Sequence, residues 1–213
     1  QSGKTRAFIG VLALAFDDGY DMAVVLTKGT KALAQQTYQR LKGDFADFVA
    51  ADKVQIFDIM HVPNNLPKYV LSQKLIMVVK KETNNLSRVS TALAGTYPNL
   101  GTKKLLVIDD EADFASVGFN KAKGEAVEMR KVARQIDELR TTVNACGFLQ
   151  VTATPYSLYL QPEDLKIKET DQVFKPVKPA FTVLLPTYPG YVGGDFYFRD
   201  SADETSIAYH QFQ

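Results

Sequence analysis

The sequence predicts an α/β domain with a parallel sheet and helices on both faces of that sheet. Short apolar runs typical of strands alternate with longer stretches in which apolar residues recur at helical spacing. With 213 residues, of which 46% are hydrophobic, the chain is large enough for one core of ordinary size. Strands that alternate with helices favour parallel pairing, because parallel strands need a crossover connection that is usually a helix.

The apolar runs predict strands at 22–26, 54–58, 75–79, 105–108 and 148–152. Helical spacing predicts helices at 6–16, 31–48, 83–95 and 124–144. A last apolar run at 181–185 is strand-like and precedes glycine-rich turns.

The chain opens on Gln1-Ser2-Gly3-Lys4-Thr5, directly before an apolar helix. Backbone N–H groups at such a helix N-terminus favour phosphate. In the pattern G-x-x-x-x-G-K-[ST], the lysine reaches the β and γ phosphates and the hydroxyl holds Mg²⁺. The first Gly of that pattern would lie upstream of Gln1, so the sequence predicts a truncated phosphate-binding loop. Ser-Gly-Lys-Thr also occurs in ordinary turns, and the helix that follows favours the loop.

An acidic motif follows the predicted strand at 105–108, where residues 108–113 read Ile-Asp-Asp-Glu-Ala-Asp. Carboxyl ends of parallel strands line the ligand crevice of an open α/β sheet. We therefore interpret Asp110 as a ligand of magnesium and Glu111 as the group that orients or deprotonates the attacking water. An acidic helix N-terminus is the alternative, but it does not account for the order of the residues.

The strings Asp110-Glu111-Ala112-Asp113 and Thr152-Ala153-Thr154-Pro155, in this order after the loop, resemble motifs II and III of superfamily 2 helicases and translocases. The resemblance implies a RecA-like P-loop NTPase fold of the DEAD-box type, with ATP and Mg²⁺ as cofactors. It also implies that Thr152 and Thr154 bond the acidic motif and couple hydrolysis to movement. From the residues alone, the alternative is a strand end closed by a proline turn, and we favour coupling because this motif ends the strand expected beside that of Asp110.

The segments Val25-Leu26-Thr27-Lys28-Gly29-Thr30 and Phe181-Thr182-Val183-Leu184-Leu185-Pro186 are similar to Z-one domain proteins, helicase-like ATPases of bacterial and phage defence or restriction systems. The resemblance implies that Thr27, Lys28, Gly29 and Thr30 contact nucleic-acid phosphate. This segment stands where many helicases carry Pro-Thr-Arg, and helix capping by Thr30 explains it almost as well. Lys80 and Lys81 would extend the same surface or only keep a strand end wet.

We expect residues 1–161 to form the first motor domain and residues 162–213 a linker with a strand and turn extension. The extension would lead to a second RecA-like domain in the full-length chain, since nothing after residue 165 resembles that domain. Without its arginine finger, this chain alone is expected to be a weak ATPase. The alternatives are a nucleotide-binding regulatory or scaffold module with little hydrolysis and another P-loop ATPase, such as a partition or transport motor.

Charge and composition restrict the partners. A net charge of +1 gives no overall electrostatic case for DNA, so DNA binding, with RNA as the less favoured partner, would depend on local surfaces. No apolar run has the length of a membrane span, and we expect a cytoplasmic protein without a membrane partner. Cys146 is the only cysteine, which excludes an intrachain disulfide and a cysteine zinc cluster.

Overall fold

A five-stranded sheet, in which every strand pair is parallel, forms the centre of the protein. The computed structural model describes residues 3–114, 123–160, 165–167, 172–174, 177–186 and 193–211. The strand order is β2-β3-β1-β4-β5. The strands are β1 (Met22–Thr27), β2 (Val54–Asp58), β3 (Lys74–Lys80), β4 (Lys104–Asp110) and β5 (Ala145–Val151). The predicted α/β class and its five strands are confirmed, although β5 begins three residues earlier than predicted.

Helices follow most of the strands. They are α1 (Lys4–Asp17), α2 (Lys31–Asp44), α3 (Ala46–Ala50), α4 (Lys68–Ser72), α5 (Thr83–Thr91), α6 (Lys123–Thr141), α7 (Tyr156–Tyr159) and α8 (Ile207–Gln211). Single helical turns occur at Ile59–His61, Ala92–Thr96, Pro98–Thr102, Ala112–Phe114, Asp195–Arg199 and Asp200–Ala202. Two short antiparallel strands, β6 (Leu165–Ile167) and β7 (Gln172–Phe174), pair with each other. No helix in the described part of the chain has the length and apolar character needed to cross a membrane.

The two faces of the sheet carry separate apolar cores, as expected for a sheet with helices on both sides. Alternate residues of β1 divide between them: Leu26 packs with α5 and α6, and Val25 packs with α1 and α2. The central strand β1 is buried along its whole length. Burial on both faces explains why the strands read as continuous apolar runs instead of alternating patterns.

The helix predicted over 31–48 is broken in the structure. Phe45 leaves the helical conformation at φ −105° and ψ 16°, and it separates α2 from α3. Its ring is buried and meets the ring of Phe16 edge-on, with centroids 6.4 Å apart. Packing of this side chain against α1 takes precedence over continuation of the helix.

The chain divides into two compact units, Ala7–Thr182 and the combination of Gln1–Arg6 with Val183–Gln213. The sheet belongs to the larger unit. The predicted boundary after residue 161 falls on residues outside the described ranges, and it stays a prediction. Residues 181–185, predicted as strand-like, belong to no strand or helix, and the side chains of Phe181 and Leu184 are exposed.

Gly147 of β5 lies under the ring of Tyr20, and a larger residue is expected to destabilise the fold. A Cβ at this position would lie 2.7 Å from Tyr20 Oη and 3.1 Å from the ring. Gly147→Ala is therefore expected to lower the free energy of unfolding by about 1–3 kcal/mol, because overpacking forces the ring to shift. Denaturant unfolding followed by circular dichroism measures the change.

Gly10→Ala is a matched control for this substitution. Gly10 is exposed in the interior of α1, and a Cβ there meets nothing within 4 Å. Alanine in an exposed helix interior should raise stability by about 0.5–1 kcal/mol. Equal stability of Gly147→Ala and the wild-type protein would contradict the close packing of Tyr20. A smaller loss in a Tyr20→Phe background would support it.

Candidate functional site

The acidic motif lies at the carboxyl end of β4. Asp109 and Asp110 close this strand, and Ala112–Phe114 forms a helical turn after it. The neighbouring strands β1 and β5 end at the same edge of the sheet, and Asp110 is in register with Val151 of β5. Three segments that are far apart in sequence, the ends of β1, β4 and β5, therefore meet at one place.

The side chains of Asp113 and Thr154 join the ends of β4 and β5. Thr154 Oγ1 donates a hydrogen bond of 2.6 Å to Asp113 Oδ2. Thr152 Oγ1 accepts from the backbone N–H of Thr154 at 3.0 Å, which orders the turn. Burial acts to raise the pKa of Asp113, but the hydrogen bonds from Thr154 and Thr152 outweigh it and hold the pKa below its ordinary value. These contacts place both predicted coupling residues against the acidic motif.

Thr154→Val is expected to reduce stability in a pH-dependent way. Because the folded-state pKa of Asp113 is lowered, its contribution is present above the unfolded-chain value of about 3.9 and is lost as pH falls through the folded-state pKa. We expect a loss of about 1 kcal/mol near neutral pH, below the usual range of about 1.5–3 kcal/mol for a bond to a charged group, because the site is partly solvated. Urea unfolding at a series of pH values measures the difference.

Thr142→Val provides the control, because the Thr142 hydroxyl bonds the Glu138 carbonyl at 2.9 Å and no carboxylate. Its effect on stability should not change with pH through the acid range. A Thr154→Val difference that stays constant down to the acid limit would show that the hydroxyl does not act on the Asp113 carboxylate.

Glu111, the predicted water-activating residue, occupies the turn after β4 in an unusual backbone conformation. Its φ is +53°, in the left-handed region that L-residues adopt at a cost of about 1–2 kcal/mol. The side chain is 48% exposed and forms an ion pair with Lys28, from Nζ to Oε2 at 3.3 Å. Such strain is typical of functional sites, where the surrounding structure maintains it.

Lys81 provides that support from the end of β3. Its Nζ donates to Asp109 Oδ1 at 2.8 Å and to the carbonyl oxygens of Asp110 and Glu111 at 2.7 and 2.9 Å. The side chains of Lys81 and Asp109 are only 3% and 8% exposed. Burial raises the pKa of Asp109, and the Lys81 ammonium offsets part of the rise.

The interpretation of Lys81 as a surface contact for nucleic acid is wrong. A signal in the sequence would have located it, because side chains alternate along a strand and Lys81 follows Met77 and Val79 on the same face. That face carries the core with α5 and α6. Lys80 lies on the other face and forms an ion pair with Glu82 at 2.8 Å.

The segment after β1, predicted to contact nucleic acid, contains buried and exposed residues. Thr27 is 2% exposed, and its hydroxyl is buried without a hydrogen-bond partner among the described residues. Gly29 and Thr30 are exposed, and Lys28 is half-exposed. Thr30 caps α2 by accepting from Leu33 N at 3.4 Å, so the capping interpretation describes a contact that is present. Thr27 is the last residue of β1 and is buried in the sheet, so its hydroxyl is not exposed for a contact with nucleic acid.

The predicted phosphate-binding residues open α1. Gly3 has φ +76° directly before the helix, a conformation that favours glycine, and Lys4 and Thr5 form the first residues of the helix. Both side chains are half-exposed. Gln1 and Ser2 lie outside the described residues.

Asp110 and Thr5 are the oxygen donors that the sequence predicts for Mg²⁺. Asp110 is half-buried at the end of its strand, and its Oδ1 accepts from Glu111 N at 3.1 Å, which orients the carboxylate. A nucleotide-bound Mg²⁺ needs only one or two protein oxygen ligands, because phosphates and waters supply the others. As oxygen donors, the oriented Asp110 carboxylate and the Thr5 hydroxyl are each of the type that fits this chemistry.

Comparison with protein-family models, curated proteins and solved structures finds no match for this chain.

Proposed function

We propose that this chain is the first, RecA-like motor domain of a superfamily 2 helicase or translocase, a nucleic-acid-dependent ATPase that hydrolyses Mg·ATP. The observation that supports it most is the contact between the acidic motif at 110–113 and the threonine segment at 152–155, which both resemble helicase motifs. Thr154 bonds Asp113 at 2.6 Å across the ends of adjacent strands. Two separate strings of sequence that resemble successive helicase motifs are in contact at the sheet edge where α/β proteins bind ligands.

Each residue has a role in the proposed reaction. Residues 1–5 bind the phosphates, with Lys4 on the β and γ groups, and Thr5 and Asp110 hold the metal. When bound, Mg²⁺ neutralises charge on the phosphates. Glu111 orients the attacking water and accepts its proton. Thr152 and Thr154 couple changes at the acidic motif to movement of a second RecA-like domain, which we propose for the full-length chain.

DNA is the partner that we propose, in the context of a restriction or defence system. Lys28 and Gly29 precede the capping residue Thr30, and Lys31 begins α2. A helix N-terminus with adjacent lysines attracts phosphate through backbone N–H groups and charge. The buried Thr27 anchors the segment to the sheet. Local charge of this kind supports binding in a chain whose net charge is only +1.

Calorimetric titration with Mg·ATP tests the nucleotide part of the proposal. Lys4→Ala is expected to weaken binding by about ten- to a hundredfold, the effect of losing a charge-assisted contact to phosphate. Lys53→Ala is the matched control, because Lys53 is exposed beside the amino end of β2, at the opposite edge of the sheet. Equal affinity of Lys4→Ala and Lys53→Ala, or no binding by the wild-type chain, would contradict the proposal.

One observation favours the alternative of a regulatory module that hydrolyses little. The Glu111 carboxylate is paired with Lys28 at 3.3 Å, so the proposed base is engaged by a cation. The pair is half-exposed on both sides, where ion pairs contribute about 0–1 kcal/mol and open readily. Turnover of bound ATP in the presence of single-stranded DNA separates the two functions. In a motor, the DNA should accelerate ATP hydrolysis, whereas a regulatory module should retain its ATP.

A further inference from the structure

We propose that Lys81 is a positioning residue for the acidic motif, which holds the backbone of Glu111 in the conformation that hydrolysis requires. The inference rests on the proposed ATPase function, because the residue that it positions is the proposed water-activating group. Lys81 does not belong to any of the segments that resemble helicase motifs. Its assignment comes from its contacts alone.

The Lys81 ammonium makes three hydrogen bonds at the end of β4. An ammonium has three N–H donors, and Lys81 directs them to the Asp109 carboxylate and to the carbonyl oxygens of Asp110 and Glu111. All three distances lie between 2.7 and 2.9 Å, and the side chain is 3% exposed. The ammonium is thus committed to the turn after β4 and is shielded from solvent.

The two carbonyl groups that Lys81 binds belong to successive residues. Successive carbonyls of a β-strand point in opposite directions, but those of Asp110 and Glu111 both reach one nitrogen. Glu111 achieves this by adopting φ +53°. A cation between the two oxygens favours this left-handed conformation, and the Asp109 side chain accepts the remaining N–H of the ammonium. The ion pair and the backbone strain are therefore parts of one arrangement.

The position of the Glu111 carboxylate depends on the backbone conformation that Lys81 supports. The φ and ψ of Glu111 set the direction of its Cα–Cβ bond, and with it the region that its carboxylate can reach. A general base must lie within hydrogen-bond distance of the water that it deprotonates. Displacement of such a group by about 1 Å can reduce a rate about a hundredfold. Lys81 acts on hydrolysis through Glu111 and touches neither nucleotide nor metal in this proposal.

Two variants separate positioning from stability. The double variant Lys81→Met/Asp109→Leu exchanges the buried ion pair for apolar side chains, an exchange that is often neutral for folding, and removes both carbonyl contacts. Asp109→Asn is the matched control, because it retains the ammonium and both carbonyl acceptors. We expect the double variant to keep its melting temperature and KM for ATP but to lose kcat about a hundredfold. Asp109→Asn should retain most of the wild-type kcat.

A second measurement reports the backbone directly. The ¹³Cα and ¹³C′ chemical shifts of residue 111 distinguish left-handed from right-handed backbone in solution. Positive φ is expected in the wild-type chain and in Asp109→Asn, and a change of conformation is expected in the double variant. Support requires the backbone change together with the loss of kcat. A folded double variant that keeps either the positive φ or the wild-type kcat overturns the inference.

The two proposals fail in different ways. If the wild-type chain and Glu111→Gln show the same turnover, the ATPase proposal fails, and the chemical shifts still decide whether Lys81 sets the backbone. If the wild-type chain hydrolyses ATP and the folded double variant does so at the same rate, only the role of Lys81 is overturned.

Discussion

Lys81→Met is expected to lower the free energy of unfolding by about 3–5 kcal/mol near neutral pH. The substitution leaves the Asp109 carboxylate buried at the end of β4 without its cation, and an unpaired buried charge is costly. Two backbone carbonyls lose their donor as well. Guanidinium unfolding measured for both chains provides the number.

The loss should grow as pH rises. In Lys81→Met, burial raises the pKa of Asp109 without the opposing ammonium, so the folded state favours the neutral acid. The contribution of Asp109 to stability is then present below the unfolded-chain pKa of about 3.9 and is lost as pH rises through its folded-state pKa. Asp109→Asn leaves the Lys81 ammonium with the amide oxygen and two backbone carbonyl oxygens as acceptors, so its loss should be smaller and should not follow the titration of a carboxylate. A Lys81→Met chain within about 0.5 kcal/mol of wild type at neutral pH would show that the pair is not buried in solution.

Glu111→Gln is expected to reduce ATP turnover by about 10²–10⁴-fold, the usual contribution of a general base. The amide keeps the size of the side chain but does not accept the proton of the attacking water. Mg·ATP binding should persist, because the proposed phosphate and metal ligands Lys4, Thr5 and Asp110 are unchanged. Phosphate release and calorimetric titration on the same preparation measure the two quantities.

Glu82→Gln is a suitable control for this substitution. Glu82 follows β3 at the same edge of the sheet and forms an ion pair with Lys80 at 2.8 Å, as Glu111 does with Lys28 at 3.3 Å. Both variants lose a partly exposed ion pair of little energetic weight. An equal loss of turnover in the two variants would mean that charge at this edge, and not proton transfer by Glu111, supports hydrolysis.

Local sequence patterns predict the sheet well because its three inner strands, β1, β3 and β4, are buried on both faces. Apolar runs located β1 to β4 to within one or two residues. The start of β5 was missed, since Ala145, Cys146 and Gly147 have little strand preference and are included by pairing with β4. The break at Phe45 was missed for a similar reason, because its cause is a contact with Phe16 in a different helix.

The acidic motif and the threonine segment were located by their order in the sequence, and the structure brings them together. Lys81 was not, because residue type dominated the interpretation: a lysine at a strand end is usually solvated. Alternation along β3 indicates that Lys81 is buried, but its partners, Asp109 28 positions away and two carbonyl groups, carry no signature in the sequence. Contacts of side chains with backbone are thus the part of this site that patterns do not predict.

The position of the strands in the sheet divides the candidate site into parts of unequal local stability. β1 is the middle strand of the order and β4 lies beside it with partners on both sides, so their opening requires disruption of much of the core. β5 is an edge strand among the described residues, and from Cys146 to Val151 it is only half-buried. Partial unfolding that starts at this edge would release Thr154 from Asp113 while the Lys81 arrangement remains closed. We therefore expect the threonine segment to open at a lower free-energy cost than the acidic motif that it contacts.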